Sequence, residues 1–195
     1  TIDHERLTEY VSQHQLEEFT RLEQLFILSI KDVLSQTDIP IDLSSPDCCI
    51  LFSTTKVNIY LLSGCADEEK ADTVSLWHMA ERTAGYFNAG QNYRIISNAC
   101  ISGVSALVVA KRIMEEEGYR KVIVTGGDIL SHFITSGFIS FKSVSPEVCR
   151  PFDIKRDGLN LGEGCGTVLL TTEETPDSII LAGGGISNDA HHISG

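Results

Sequence analysis

The stretch Ser97-Asn98-Ala99-Cys100-Ile101-Ser102-Gly103 holds the side chain best suited to chemistry in this chain. An apolar run, YRIIS over residues 93–97, has the character of a strand, and the helical pattern VSALVVAKRI follows Gly103. Cys100 therefore stands just ahead of a helix N-terminus. Unpaired N–H groups there carry partial positive charge and favour a thiolate over a thiol. A thiolate suits a nucleophile that accepts an acyl group as a thioester. The N–H groups of the same turn can also face the oxyanion that forms on attack. The competing reading is a small core hydrophobe, because free cysteine is among the most buried residue types. Two features favour the nucleophile. Small neighbours leave the sulfur accessible, and the helix behind it is apolar on nearly every side, with Val104, Ala106, Leu107, Val108, Val109 and Ala110. Such a helix is expected to be buried all round, which makes a rigid mount.

The remaining candidates read as structural. Cys48, Cys49, Cys65, Cys149 and Cys165 show no CxxC spacing, so no zinc site is expected. His191 and His192 are adjacent and in a strand would not easily face one metal ion. The glycines at 183–185 have no nucleotide fingerprint, since no helix with an anion-binding start follows them. Asp153, Arg156, Asp157 and Glu163 form a charged turn that feeds a glycine-rich strand, where Gly158, Gly162, Gly164 and Gly166 serve close backbone packing.

The elements that must position Cys100 follow from periodicity. Leu16, Phe19, Leu22, Phe26, Ile30 and Val33 recur at helical steps and predict one helix, ended ahead of Pro40. CCILFS over 48–53 predicts a strand, and a helix is expected over about 74–87. Beyond the strand 93–97 come a helix over 103–117, a strand over 121–125 closed by Gly126-Gly127, and two further strands over 165–171 and 178–182. Residues 63–72 read as a solvated loop or helix start. Alternation of strands and helices, then two strands in succession, predicts an α/β fold with a mostly parallel sheet flanked by helices and one reversed strand. The 195 residues suffice for one domain with a sizeable core. A net charge of −12 excludes a nucleic-acid binder, which needs a basic footprint. No apolar run reaches the ~20 residues that span a bilayer. The polar start TIDHERLTEY has no apolar signal core and the cysteines are irregularly spaced, so a cytoplasmic protein is expected.

SNACISG resembles the active-site cysteine motif of β-ketoacyl-[acyl carrier protein] synthases, members of the thiolase-fold superfamily. Four more stretches resemble that family in order. They are KVIVTGGD, the Gly-Phe segment SGFISFKSVS, the signature CRPFDIKRDGLNLGEGCGTVLL, and the handover stretch GGGISNDAHHIS. Any one is weak, and five in order are strong. The resemblance runs over about residues 75–195, and more loosely 15–62. It implies a thiolase-like layered fold, with residues 1–195 forming the N-terminal half only. It also implies a decarboxylating Claisen condensation in fatty-acid or polyketide synthesis. Cys100 would take an acyl chain from a carrier protein's phosphopantetheine arm, and an enolate formed from a malonyl unit would attack that thioester. No cofactor of the protein's own is implied, because the substrate carries the phosphopantetheine.

In this resemblance Ile101 stands where the family usually has a small residue and would narrow the pocket beside the sulfur. Phe138 in the Gly-Phe segment and His192 in the Asp-Ala-x-His pattern would lie near the acyl pocket, His192 without a chemical role. Lys142 is read equally as a base that meets the acidic carrier protein and as an ordinary surface lysine. The strand from Tyr93 to Ser97 would lie at the sheet edge and pair with its copy in a homodimer. Two departures bear on activity. The family's two enolate-binding histidines lie in its second half, in His-Gly-Thr and Gly-His contexts, and none of His4, His14, His78, His132, His191 and His192 matches either. An opening strand, expected in the middle of the sheet, is not found before Leu16. The expectation is an inactive piece of a longer enzyme, whose missing C-terminal half is its partner. Two alternatives stand beside it: a non-catalytic chain-length partner subunit, which would typically lack the cysteine, and a thiolase-type enzyme, over which the RPFD…RDG…GEG signature favours the carrier-protein synthases.

Overall fold

A computed structural model describes residues 2–62, 72–176 and 178–187. Strand β1 (Cys48–Ser53) is buried along its whole length. Its side chains alternate between two cores, with Cys48, Ile50 and Phe52 in one and Cys49 and Leu51 in the other. A strand covered on both faces must read as a continuous apolar run, as CCILF does. β2 (Tyr93–Ile96) and β3 (Lys121–Asp128) pair parallel to β1 on either side, so that Ile50 lies opposite both Tyr93 and Ile123. β4 (Gly164–Thr171) runs antiparallel to β3, giving the order β2-β1-β3-β4.

Helices cover both faces. α1 (His4–Gln13), α2 (Arg21–Ser35) and α3 (Leu76–Tyr86) share the core that holds Ile50 and Phe52. Phe26 of α2 meets Phe52 with ring centroids 5.7 Å apart, both fully buried. α4 (Ser102–Glu116) packs on the opposite face through Ala106, Ala110 and Ile113 against Leu51, Val122 and Val124. α5 (His132–Ser140) follows β3.

Several elements differ from the sequence expectation. The first predicted helix starts later than its apolar period, and α1, which precedes it, has no counterpart in the sequence expectation. α2 starts only at Arg21, because Thr20 and Glu23 form a capping box: the Glu23 carboxylate accepts the Thr20 N–H at 2.8 Å. Leu16 and Phe19 belong to the link before it, and α1 buries only Leu7 and Val11. The segment 178–182 is not a strand. It runs beside α4, where Gly184 lies so near Val108 that a Cβ would stand 2.5 Å from its Cγ2, and Ile179 and Ile180 are exposed without a ladder partner among the described residues. α4 is not buried all round, since the sheet covers one face and Val104 is 64% exposed. No gap waits mid-sheet for an opening strand, because β1 and β3 pair directly from Cys48–Lys121 to Ser53–Gly126.

The signature loop between α5 and β4 is fastened by backbone contacts. Ser145 N–H donates to the Leu159 carbonyl and Leu159 N–H to that of Ser143, each at 2.8 Å. Gly158 makes this possible with a φ of +77°, and a Cβ there would lie 2.7 Å from the Ser145 nitrogen. At the loop's end Glu163 is nearly buried and accepts from Arg21 at 2.7 Å and from the Leu130 N–H at 3.3 Å. Burial pushes its carboxyl up, but the Arg21 guanidinium and the Leu130 N–H outweigh it and hold the carboxyl below the ordinary range.

A lowered folded value means that Glu163 stabilises the fold fully above its unfolded value of about 4.3 and loses that contribution as pH falls through the lower folded value. Glu163→Gln is expected to cost about 1–2 kcal/mol at neutral pH, a charged hydrogen bond reduced by the partial solvation of Arg21. Thermal melts of both proteins should differ at neutral pH and converge only as the pH falls below the lowered folded value of Glu163.

Candidate active site

The three parallel strands end at one edge of the sheet, and α4 begins there. The exit of β1 leads to α3 on one face and that of the neighbouring β2 to α4 on the other. Such a divergence opens a crevice at the carboxyl ends of the strands. An open cleft of about 470 Å³ lies here, lined by Ser53, Cys100, Val104, Gly127, Asp128 and Val168 among others.

Cys100 is exposed and follows Ala99, whose φ of +45° is left-handed. That conformation is uncommon outside glycine. The turn is closed by Ile101 N–H to the Asn98 carbonyl at 3.1 Å. Ser102 is nearly buried, and its hydroxyl accepts the Asn98 N–H at 2.8 Å and donates to the Ala99 carbonyl at 2.7 Å. The Asn98 amide donates to Ser105 at 3.1 Å. Ile101 is the N-cap of α4 and supplies no side-chain cap. Uncapped N–H groups at a helix start are donors available to an anion.

The opposite wall is tied down independently. Asp128 at the end of β3 accepts from the Thr54 hydroxyl at 2.8 Å and from the N–H and hydroxyl of Thr55 at 3.2 and 3.3 Å. Gly127 lets β4 approach, since a Cβ would stand 2.9 Å from the Gly164 carbonyl oxygen. The other thiols sit in different surroundings. Cys48 and Cys49 are buried on β1 and Cys165 is half-buried on β4. Burial pushes the Cys48 thiol up, and those of Cys49 and Cys165 up to about 11.

The other predicted residues scatter. Ile101 is exposed directly after Cys100. Phe138 is half-buried on α5 and does not line the cleft of Cys100. Lys142 is exposed just beyond α5, with a φ of +55° and its N–H donated to the Ile139 carbonyl. His191 and His192 lie outside the described residues. Asp153 and Arg156 share a local turn, with Arg156 donating to the Asp153 carbonyl at 3.2 Å, while Glu163 anchors α2. No group of three or more potential metal ligands occurs among the described residues. Sequence reasoning missed Ser102, Asn98 and the Thr54–Thr55–Asp128 tie. The available signal was a hydroxyl two positions after the cysteine.

Brief iodoacetamide treatment of the folded chain at neutral pH is expected to modify Cys100 well ahead of Cys48, Cys49 and Cys165. Peptide mass mapping reads the order, and equal modification of Cys49 or Cys165 would contradict this placement of the thiols.

The family model for the β-ketoacyl synthase N-terminal domain matches residues 6–175. A Saccharomyces cerevisiae 3-oxoacyl-[acyl-carrier-protein] synthase homolog is 35% identical over 108 residues, which cover 51% of this chain and 24% of that protein. The mitochondrial 3-oxoacyl-[acyl-carrier-protein] synthase of Arabidopsis thaliana is 36% identical over 120 residues, covering 54% and 26%. The chain thus spans about a quarter of the length of these relatives. Two solved structures share the fold. A β-ketoacyl synthase from Burkholderia phymatum has a TM-score of 0.65 at 21% identity, over 78% of this chain and 42% of that one. A ketosynthase from Xenorhabdus doucetiae, solved with its chain length factor, has a TM-score of 0.65 at 22% identity, over 90% and 45%. The fold is the thiolase-like α/β fold of the ketosynthases, and the chain belongs to the β-ketoacyl synthase family, matching its N-terminal domain.

Proposed function

We propose that Cys100 is the acyl acceptor of a condensing enzyme that works with acyl carrier protein. The observation that carries this is the placement of the thiol. Cys100 is exposed in the cleft at the start of α4, whereas Cys48 and Cys49 are buried and Cys165 is half-buried, all three with raised thiols. The Cys100 thiolate attacks the carbonyl of an acyl-phosphopantetheine thioester. A tetrahedral oxyanion forms, and its collapse expels the carrier's thiolate, which takes up a proton. A malonyl thioester then loses carbon dioxide, and the electron pair of the broken bond becomes an enolate. The enolate carbon bonds to the acyl carbonyl carbon, the bond to Cys100 breaks, and a 3-oxoacyl thioester leaves with the thiolate restored. The enolate needs hydrogen-bond donors. No histidine of these 195 residues stands in either family context, so the donors come from the second half of the enzyme. The protein acts in the cytoplasm, and no helix among the described residues is long and apolar enough to cross a membrane. Ile101, Phe138 and His192 contribute to acyl binding and Lys142 to carrier docking. A non-catalytic chain-length subunit would have no use for an accessible cysteine at this position.

The enzyme is also proposed to be a homodimer through β2. This strand is at one end of the sheet, and its sole charge, Arg94, is drawn to Glu117 beyond the end of α4. A proline-free apolar edge favours strand pairing, and pairing with a copy would be isologous.

Two experiments test these readings. A medium-chain acyl carrier protein incubated with the chain should leave a thioester on Cys100 and yield no 3-oxoacyl product with malonyl carrier protein. Cys100→Ala should abolish acylation with an unchanged melting curve. Acylation elsewhere would refute the assignment, and product formation would refute the need for a second half. Ile95→Pro, which removes a ladder donor at the centre of β2, should convert the dimer to a soluble monomer in light scattering. Survival of the dimer would place the interface elsewhere.

A further inference from the structure

We infer that Ser102 is a positioning residue for Cys100, acting through the left-handed turn at Ala99. This rests on Cys100 being the acyl acceptor. Three observations converge on the turn. Ala99 holds a φ of +45°, a region unfavourable for a non-glycine residue unless its surroundings over-determine it. The Ser102 hydroxyl spans the turn, accepting from the Asn98 N–H before Ala99 and donating to the Ala99 carbonyl after it. Ser102 and Ser105 are buried at the first turn of α4, and the Asn98 side chain donates to Ser105, so the strand end is fastened to the helix at two points.

The chemistry of this arrangement is specific. The hydroxyl supplies one acceptor and one donor, and the turn uses both. An ordinary N-cap hydroxyl would sit before the helix and accept from N–H groups inside it. Ser102 lies inside α4 and reaches back to the residues that precede Cys100. The Ser102 N–H donates to the Ala99 carbonyl at 3.3 Å, and the hydroxyl's bonds leave the next N–H groups, those of Gly103 and Val104, without a side-chain cap, which a capping side chain at Ile101 would not. The same two bonds therefore hold the strained residue and keep the helix start open beside the sulfur. Without them the turn keeps only its backbone bonds, Ile101 N–H to Asn98 and Ser102 N–H to Ala99, and loses both side-chain ties across the left-handed residue, so that a relaxed φ would turn the following residue out of the cleft.

The test compares alkylation rates within one protein. The chain, Ser102→Ala, and the double variant Ala99→Gly with Ser102→Ala are treated with iodoacetamide, and each cysteine is followed by peptide mass. Half-buried Cys149, on the loop between α5 and β4, is the internal reference, and Cys48, Cys49 and Cys165 report on unfolding. Ser102→Ala should slow modification of Cys100 by about tenfold, the scale of one to two net hydrogen bonds, with Cys149 unchanged and the buried thiols still protected. Glycine adopts positive φ without the penalty, so Ala99→Gly should restore most of the lost rate. A purely structural serine would instead raise the rates at the buried thiols and would not be rescued at Ala99. An unchanged or faster Cys100, a parallel change at Cys149, or absence of rescue overturns the inference. Failure of the unsubstituted chain to take an acyl group at Cys100 would overturn the functional reading alone, because the alkylation comparison does not depend on it.

Discussion

Burial of β1 on both faces is the constraint from which the rest of the structure follows. Its backbone can be satisfied only by strands on each side, and its side chains only by helices above and below. Parallel neighbours require crossover connections, and α3 and α4 supply them on opposite faces. Once β1, β2 and β3 run parallel, their carboxyl ends share an edge, and the chain leaves β1 and β2 in opposite directions. The cleft lies at that edge, between the start of α4 and the strand ends of β1, β3 and β4. A nucleophile placed there needs no separate scaffold, since the core of the sheet already fixes its walls.

The cleft divides its labour among residue types. Asp128 is its charged member at the end of β3, yet three donors from Thr54 and Thr55 occupy its carboxylate. It fastens the exit of β1 to the end of β3. Cys100 carries no comparable bonds on its sulfur and faces open space. The polar side chains around the cleft thus hold backbone, and the exposed Cys100 sulfur is left to face its space. Glu163 repeats the pattern at a distance, joining the loop before β4 to the start of α2.

Legibility in the sequence followed the same logic. β1, β3, α4 and the location of Cys100 were readable because each depends on a local period or on one residue between a strand and a helix. α1 was not readable, since two buried residues, Leu7 and Val11, make too short an apolar stripe to stand out. The start of α2 was misplaced because the apolar period continues through Leu16 and Phe19, while the stop is encoded in a reciprocal bond between Thr20 and Glu23. The run 178–182 has strand composition, but composition cannot say whether an edge is available, and the segment lies along α4 instead. In the site, the position of the thiol was legible and its support was not. Ser102 and Asn98 are common residues whose pairing appears only when a turn brings them together.

The exposure of α4 gives the last physical step. Val104 of α4 and Val168 of β4 face the cleft and are exposed at 64% and 48%, although the helical sequence is apolar enough for burial on every side. A sequence patterned for burial and a surface left open differ by an apolar area on the helix that carries the nucleophile's mount. Covering it would remove water from the wall of the cleft next to Cys100. Hydrogen bonds and helix-terminal charge act more strongly when water is excluded. A cover over Val104 and Val168 would in this way couple the packing of α4 to the surroundings of the Cys100 sulfur through one face of one helix.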